Sequence, residues 1–316
     1  MGTRGFSPNV FVVIVNWNGR SDTLECLESL CRLDYPSLQI VISDNASEDE
    51  SVEAVRRMYP SARIIANTRN LGFTGGNNVG IRYALENGAD YVWLLNNDTI
   101  VDPNALSSLV GAAENDPGIG IVGSKIYYYA EPNIISFAGA NIDWAKGTSA
   151  HIGRGEVDKG QYDQVSDVSR VSGCSMLVKK KVCENVGVFD ETFFLFVEDV
   201  DWCVRAKLGG FRCVFVPSSK VWHKEGSSIK KTENSLYSYY NTRNFLLLIR
   251  KNYTFPKREI LLTNQICDRL RHRKKTLVKC LLSGFNKPQG IDSSEYAVIC
   301  GVRDFLMNRL GKSDCM

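Results

Sequence analysis

The 316-residue chain is 44% apolar, enough to bury one large core or a core plus a smaller appendage. No window reaches the roughly 18 uncharged apolar residues of a membrane span, and "MGTRGFSPNVFVVIV" has no signal-peptide cleavage pattern, so a cytosolic protein is expected. The net charge of +3 is uneven: from Arg243 onwards 15 Lys and Arg face 6 Asp and Glu, while the residues before it hold 23 against 29, which favours an anionic partner for the tail, such as a membrane surface, over nucleic-acid binding by the whole protein.

"VFVVIVN" (10–16) is an unbroken, β-branched run that suits a strand covered on both faces. Ser21 can cap a helix over "SDTLECLESLCRL", whose residues 24, 27, 30 and 33 are apolar at helical spacing. "LQIVISD" (38–44) predicts a second strand, Ser47 opens a helix near 48–58, "ARIIAN" gives a third strand, and "TGGNNVGIRYALENG" a helix with a glycine stop. "DYVWLLNND" is the fourth strand. This alternation predicts a mostly parallel sheet flanked by helices, an α/β fold, over about the first 110 residues.

Beyond about 120, "GIGIVGSKIYYY", "IISFAGANIDW" and "RVSGCSMLVKK" read as strands extending the sheet and folding over its mouth. A helix starts near Glu198 and stops at Gly209-Gly210, "FRCVFVPSSKVWH" supplies final strands, and the chain is helical from about 232. Ten cysteines form no Cys-x-x-Cys pair and sit mostly among apolar neighbours, the pattern of buried reduced thiols.

Ligands of open parallel sheets bind beyond the carboxyl ends of the strands. There this chain puts Asn16-Trp17-Asn18, Asp44-Asn45, Asn67 to Asn70, and Asn96-Asn97-Asp98, so every end carries polar side chains. Asp44 can accept the imide N–H of uracil or thymine, or simply form an Asx turn with "NAS". In "NTRNLGFTGGNNVG", Gly75-Gly76 ahead of a helix allows close backbone approach to a diphosphate, although neither GxxxxGK[ST] nor GxGxxG is spelled; an ordinary capped loop is the alternative. Asp98 can bind Mg²⁺ or Mn²⁺, which need few protein ligands when phosphate and water complete the shell. His223, one of three histidines and at the end of a strand, is its candidate partner or else a structural histidine. Glu198, Asp199 and Asp201 open a helix; Asp201 can pair with Arg205, while a carboxylate among apolar neighbours there can take a proton from a sugar hydroxyl.

Taken together, "VIVNWNG", "ISDNASED", "NLGFTGGNN", "LLNNDTIV", "GCSMLVKK", "FDETFFLFVEDVDWCVRA" and "VWHKEG" resemble a family 2 glycosyltransferase of the GT-A fold, in the branch similar to bacterial rhamnosyltransferases; they span roughly 10–228. The resemblance implies a Rossmann-like GT-A domain over 1–231, with a nucleotide-binding half (1–118) and an acceptor-binding half (119–231), followed by a basic helical region, 232–316. It implies that Asp44, with Asn16, Asn45, Asn70, Gly75, Asn77, Asn96 and Asn97, lines the site of a UDP- or dTDP-sugar donor. It also implies that Asp98 and His223 hold the metal, that Asp199 is the catalytic base and that Glu198 acts beside it. The family's Asp-x-Asp element begins here with Asn96, a departure that changes its first contact. The acceptor implied is a glycan or lipid-linked saccharide. Lys257 to Leu282 mixes leucines and isoleucines with Arg269, Arg271, Arg273, Lys274 and Lys275, as expected either of a basic amphipathic helix on an anionic bilayer or of a helix packed on the domain. Two other classes remain open: a sugar-1-phosphate nucleotidyltransferase, which should show an N-terminal Gly-rich phosphate motif with a basic residue that "VIVNWNG" lacks, and a non-catalytic nucleotide-sugar-binding protein.

Overall fold

The computed structural model describes residues 7–144, 148–224 and 232–313, the side chains of 148 and 232–234 excepted. The chain runs β1 (Val10–Asn16), α1 (Arg20–Leu30), β2 (Leu38–Asp44), α2 (Ser51–Met58), β3 (Arg63–Ala66), α3 (Gly72–Glu86), β4 (Tyr91–Asn96), β5 (Thr99–Val101), α4 (Ala105–Glu114) and β6 (Ile119–Tyr128). There follow β7 (Ile135–Phe137), β8 (Ala140–Asp143), β9 (Thr148–His151), β10 (Ser166–Asp167), β11 (Ser175–Lys179), α5 (Lys180–Val186), α6 (Glu198–Leu208) and β12 (Arg212–His223). The C-terminal helices are α7 (Thr232–Asn252), α8 (Lys257–Arg271), α9 (Lys274–Leu282) and α10 (Ser293–Leu306).

The main sheet has the order β10-β12-β6-β11-β4-β1-β2-β3. Strands β3, β2, β1 and β4 are mutually parallel, as the βα alternation requires. Strand β11 then enters antiparallel between β4 and β6, and β12 runs parallel to β6 and antiparallel to β5. A buried polar chain crosses the insertion: Trp93 Nε1 of β4 donates to Ser175 Oγ of β11, whose hydroxyl meets Ser124 Oγ of β6, which in turn meets Ser219 Oγ of β12. The two-residue period of β1 is read by two cores. Val10, Val12 and Ile14 pack with Leu27 of α1, Val55 of α2 and Leu106 of α4, while Phe11 and Val13 pack with Ile81 of α3 and Trp202 of α6.

The starts of α1 and α2 differ from expectation. Helix α1 begins at Arg20, one residue before Ser21, with Gly19 at the cap position, where a Cβ would lie 2.3 Å from Asn97 Nδ2. Helix α2 begins at Ser51 because the Ser47 hydroxyl is engaged by Asp44 instead of capping. The nine described cysteines are all free thiols, most of them buried.

Helices α7, α8 and α10 pack Phe245 to Ile249, Leu261 and Phe305 onto Phe193, Val197, Val200 and Val204 at and around α6. The basic amphipathic stretch expected over 257–282 is broken at His272-Arg273 into two helices, and Leu261, Leu262, Ile266 and Leu270 of α8 face this core, as the packed alternative required. Val278, Leu281 and Leu282 of α9, with Phe255 and Ile260, stay exposed. Among the described residues no helix is long and apolar enough to cross a membrane. The expected boundary at 231/232, and Glu225-Gly226 of "VWHKEG", fall in 225–231, outside the described residues.

Candidate active site

The carboxyl ends of β1, β2, β3 and β4 form one edge, and their polar residues bind each other. Parallel pairing places Asn16 opposite Asp44. Asn16 Nδ2 donates to Asp44 Oδ2 at 2.7 Å, and Ser47 donates its N–H to Oδ1 at 2.9 Å and its hydroxyl to Oδ2 at 2.7 Å. Asp44 is thus both the acid at the strand end and the anchor of the loop after it, through Ser47 three residues on. Asn16 Oδ1 accepts from Thr23 Oγ1 and Asn97 Nδ2, which links β4 to β1. Next to it, Asn45 Nδ2 donates to the Gly72 carbonyl at 2.9 Å and approaches Asn70 Oδ1 at 3.4 Å, while Asn67 Nδ2 donates to Asn45 Oδ1. Asn16 is thus bonded to Asp44 and Asn97, Asn45 lies beside Asn70, and Asn96 stands opposite Val15 on the same edge.

Gly75 and Asn77 sit differently. Helix α3 starts at Gly72, so the glycine pair lies within its first turns and is buried, and Asn77 Nδ2 turns back to the Phe73 carbonyl of its own helix. Gly76 lets the helix lie close on the sheet, since a Cβ there would come within 2.9 Å of both Asn45 Nδ2 and Val15 Cγ1, while one on Gly75 would come within 2.8 Å of Leu71 Cβ at the cap of the same helix.

Pairing of β5 with β12 sets His223 opposite Thr99 and so beside Asp98. His223 Nε2 lies 3.0 Å from Asp98 Oδ1 and 3.2 Å from Asn96 Nδ2. Burial works to raise the Asp98 pKa, but the His223 hydrogen bond and charge, with Lys224, hold it below the usual carboxylate range. Nε2 faces both groups, and its tautomer decides whether it donates to Asp98 or accepts from Asn96; with Nε2 unprotonated, its lone pair and the Asp98 carboxylate can share one cation. One carboxylate and one imidazole fit a divalent ion whose remaining ligands are phosphate oxygen and water. Among the described residues no group of three or more His, Cys, Asp or Glu can hold a metal by itself.

Asp199, in the first turn of α6, is 5% exposed. Its Oδ2 accepts Arg170 Nη2 at 2.8 Å, Arg170 Nε at 3.1 Å and the Gly173 N–H at 3.0 Å, and its Oδ1 accepts the Val200 N–H. The residue after Gly173, Cys174, accepts the Asn96 N–H through its carbonyl, so one short turn joins the Asp199 carboxylate to the end of β4. Arg170 also reaches Ser149 Oγ and His151 Nε2 of the β8–β9 hairpin. Glu198 is buried, and its Oε2 has no hydrogen-bond partner. Burial first, and then the Asp199 charge, push its pKa up to about 8. Glu198 is therefore neutral at neutral pH, next to the Arg170–Asp199 salt bridge. Asp201 pairs with Arg205 one turn on, the structural role expected of it.

The segment before these acids is unusual. Phe194, Phe196 and Val197 have φ of 62°, 65° and 74°; left-handed conformations of this kind cost about 1–3 kcal/mol each and are severe for a β-branched residue. Asn244 Nδ2, from α7, lies 2.8 Å from each of the Phe193, Leu195 and Phe196 carbonyls. Arg243, fully buried, donates to the Phe193 and Thr192 carbonyls, and Thr74 of α3 donates its N–H to the Phe194 carbonyl. Gly72, at φ +73°, makes room, since a Cβ there would lie 2.6 Å from the Phe194 carbonyl oxygen.

The structure thus brings the strand-end residues to one edge, pairs Asp98 with His223 and sets Glu198 beside Asp199. The sequence does not single out Arg170, Arg243 or Asn244, because an arginine turned inward looks like a surface one in "SRVSG" and "NTRNFLLL".

Residues 8–241 match the model of the family described as Glycosyltransferase like family 2. The chain is 27% identical over 260 residues to a dTDP-rhamnosyl transferase, RfbF, of Shigella flexneri, covering 78% of this chain and 81% of that one. It is 25% identical over 257 residues to an N-acetylglucosaminyl-diphospho-decaprenol L-rhamnosyltransferase of Mycobacterium tuberculosis, covering 75% and 83%. Among solved structures, a mannosyltransferase of Pyrobaculum calidifontis in complex with GDP-Man and Mn²⁺ superposes with a TM-score of 0.59 at 15% identity, over 96% of this chain and 89% of that one. With a GT-A sheet whose strand ends carry these acids and amides, and a family match over most of its length, the chain belongs to glycosyltransferase family 2 and is a glycosyltransferase of the rhamnosyltransferase-like kind.

Proposed function

We propose that this glycosyltransferase is inverting and metal-dependent, and that it moves a sugar from a UDP- or dTDP-linked donor, with dTDP-rhamnose the first candidate, to a hydroxyl of a glycan or lipid-linked saccharide in cell-surface polysaccharide synthesis. The observation that carries the reading is the turn at Gly173-Cys174, which joins the Asp199 carboxylate to the strand end bearing Asn96, Asn97 and Asp98.

Asp199 Oδ2 is saturated by Arg170 and Gly173, whereas Oδ1 accepts the Val200 N–H and offers its second lone pair to the acceptor hydroxyl. Proton removal there lets the acceptor oxygen attack the anomeric carbon from the face opposite the leaving diphosphate, and a single displacement inverts that centre. Neutral Glu198 donates a hydrogen bond to a sugar hydroxyl from its unpartnered carboxyl. Asp44 accepts the imide N–H of the base with the one lone pair of Oδ1 that Asn16 and Ser47 leave over, and Asn16, Asn45, Asn70, Asn96 and Asn97 line the nucleotide side. Mg²⁺ or Mn²⁺ held by Asp98 and His223 would offset the charge growing on the diphosphate.

The names of the relatives support a rhamnosyl donor and a lipid-linked acceptor. For such an acceptor the enzyme would work in the cytoplasm at the inner face of the membrane, meeting anionic lipid through Val278, Leu281 and Leu282 of α9 among Lys274, Lys275 and Lys279. Flotation with anionic vesicles tests that contact, and no association at low salt excludes it. For the reaction, Asp199→Asn should lower turnover by about 10²- to 10⁴-fold with donor KM little changed; unchanged transfer would remove Asp199 from the mechanism. Retention of anomeric configuration in the product would exclude single displacement.

A further inference from the structure

Every backbone carbonyl from residue 192 to 197 has a partner. Thr192 accepts from Gly311 N and Arg243, Phe193 from Arg243 and Asn244, and Phe194 from Thr74 N. Leu195 and Phe196 accept from Asn244, and Val197 from Asp201 N. The donors that lie far away in sequence are Thr74 of α3, two consecutive residues of α7, and Gly311 beyond α10. Three non-glycine residues of this segment hold positive φ, which persists only where the surroundings over-determine the backbone.

Arg243 and Asn244 are both fully buried. Arg243 Nη1 donates to the Gly311 carbonyl at 2.7 Å and Nε to Asn244 Oδ1 at 3.0 Å, which orients the Asn244 amide with its NH₂ toward the segment. The guanidinium also lies over the rings of Tyr239 and Tyr240. A buried cation whose partners are carbonyls and aromatic faces is costly to keep; its effect here is to fix one backbone shape.

We propose that Asn244, oriented by Arg243, is a positioning residue for the transfer. It acts through the 193–197 backbone to set where α6 begins, and so where Glu198 and Asp199 present their carboxyls. The proposal rests on the reading of Asp199 as the base, and it makes the C-terminal helical region part of the catalytic apparatus.

The experiment compares wild type, Asp199→Asn, Asn244→Ala and Asn244→Gln in two measurements: steady-state transfer, and hydrogen–deuterium exchange by mass spectrometry on the whole chain. Asn244→Ala should lower kcat by about 10²-fold, the size of effect that a displacement of about 1 Å produces, and leave donor KM within a few-fold. Peptides covering 193–201 should lose protection while those of β1, β2 and β4 keep theirs. Asn244→Gln, which keeps the amide but sets it one methylene too far, should give the same local pattern with a smaller loss, and it serves if the alanine variant does not fold. Full kcat in a folded Asn244 variant overturns the proposal, as does a fall in kcat with 193–201 still protected. If Asp199→Asn transfers normally, the base assignment fails, and unchanged exchange at 193–201 in the Asn244 variants then refutes the clamp on its own.

Discussion

Arg170→Met tests the arginine fork directly, because it removes the cation and keeps much of the side-chain volume. Asp199 is buried and Arg170 half-buried, with side-chain exposures of 7% and 15%. Removing one partner of such a pair strands the other charge, at a cost of about 3–5 kcal/mol. Gly173 and Val200 keep their N–H bonds to Asp199, so about 3 kcal/mol, the lower end of that range, is expected. Asp199→Asn alone leaves Arg170 its contacts with Ser149 and His151 and a path to water, and should cost less. In the double variant no charge is stranded, so its loss should fall short of the sum of the single losses by about 2 kcal/mol, within the range found for contacting residues. Equilibrium urea unfolding of the four proteins, followed by circular dichroism at constant pH and salt, measures all three differences. Losses that add to within about 0.5 kcal/mol, or an Arg170→Met loss below about 1 kcal/mol, well under the range for a broken buried pair, would refute the fork.

Other outcomes follow from the same geometry. Glu198 has a raised pKa in the folded chain, so the stability it contributes is complete below the usual glutamate range and is lost as pH rises through about 8; Glu198→Gln should remove that part of the decline in melting temperature between pH 5 and 8, and parallel curves would count against it. Asp98→Asn and His223→Ala should each abolish the extra thermal stabilisation that Mn²⁺ gives in the presence of UDP or dTDP; a shift equal to wild type in either variant rules that residue out as a ligand. Gly76→Ala should destabilise by about 1–3 kcal/mol, the cost of overpacking, because its methyl group would lie 2.9 Å from Asn45 Nδ2 and Val15 Cγ1; unchanged urea stability would show that α3 can shift.

The parallel half was legible because its signals are local. An apolar run such as "VFVVIVN" fixes a strand, the helix after it fixes the direction of the next, and the residues just past each strand must then share one edge. The fork was not legible: Arg170 and Asp199 meet only because β11 enters the sheet between strands laid down much earlier, a long-range event that leaves no period in the sequence. Gly75-Gly76 was read as loop because "LGFTGG" contains the residues that usually end helices, whereas the closeness of Val15 of β1 and of Asn45 makes glycine at 76 the residue that lets α3 approach. The tail was legible as basic and helical, but composition does not say which face of α8 is covered, and the core under Leu261 and Ile266 decides that.

The crossing of β11 bears on how acceptor choice can be re-engineered. A chimaera made by replacing everything after residue 118 would import a foreign strand into the flank of β4, with five register pairs and the Trp93–Ser175 hydrogen bond to be matched anew. Any mismatch there leaves an apolar strand unzipped, which invites aggregation before a change of specificity can be observed. Grafts confined to 129–165, which joins the strand ladder at few points, leave that seam intact and are the safer way to test whether this half sets the acceptor.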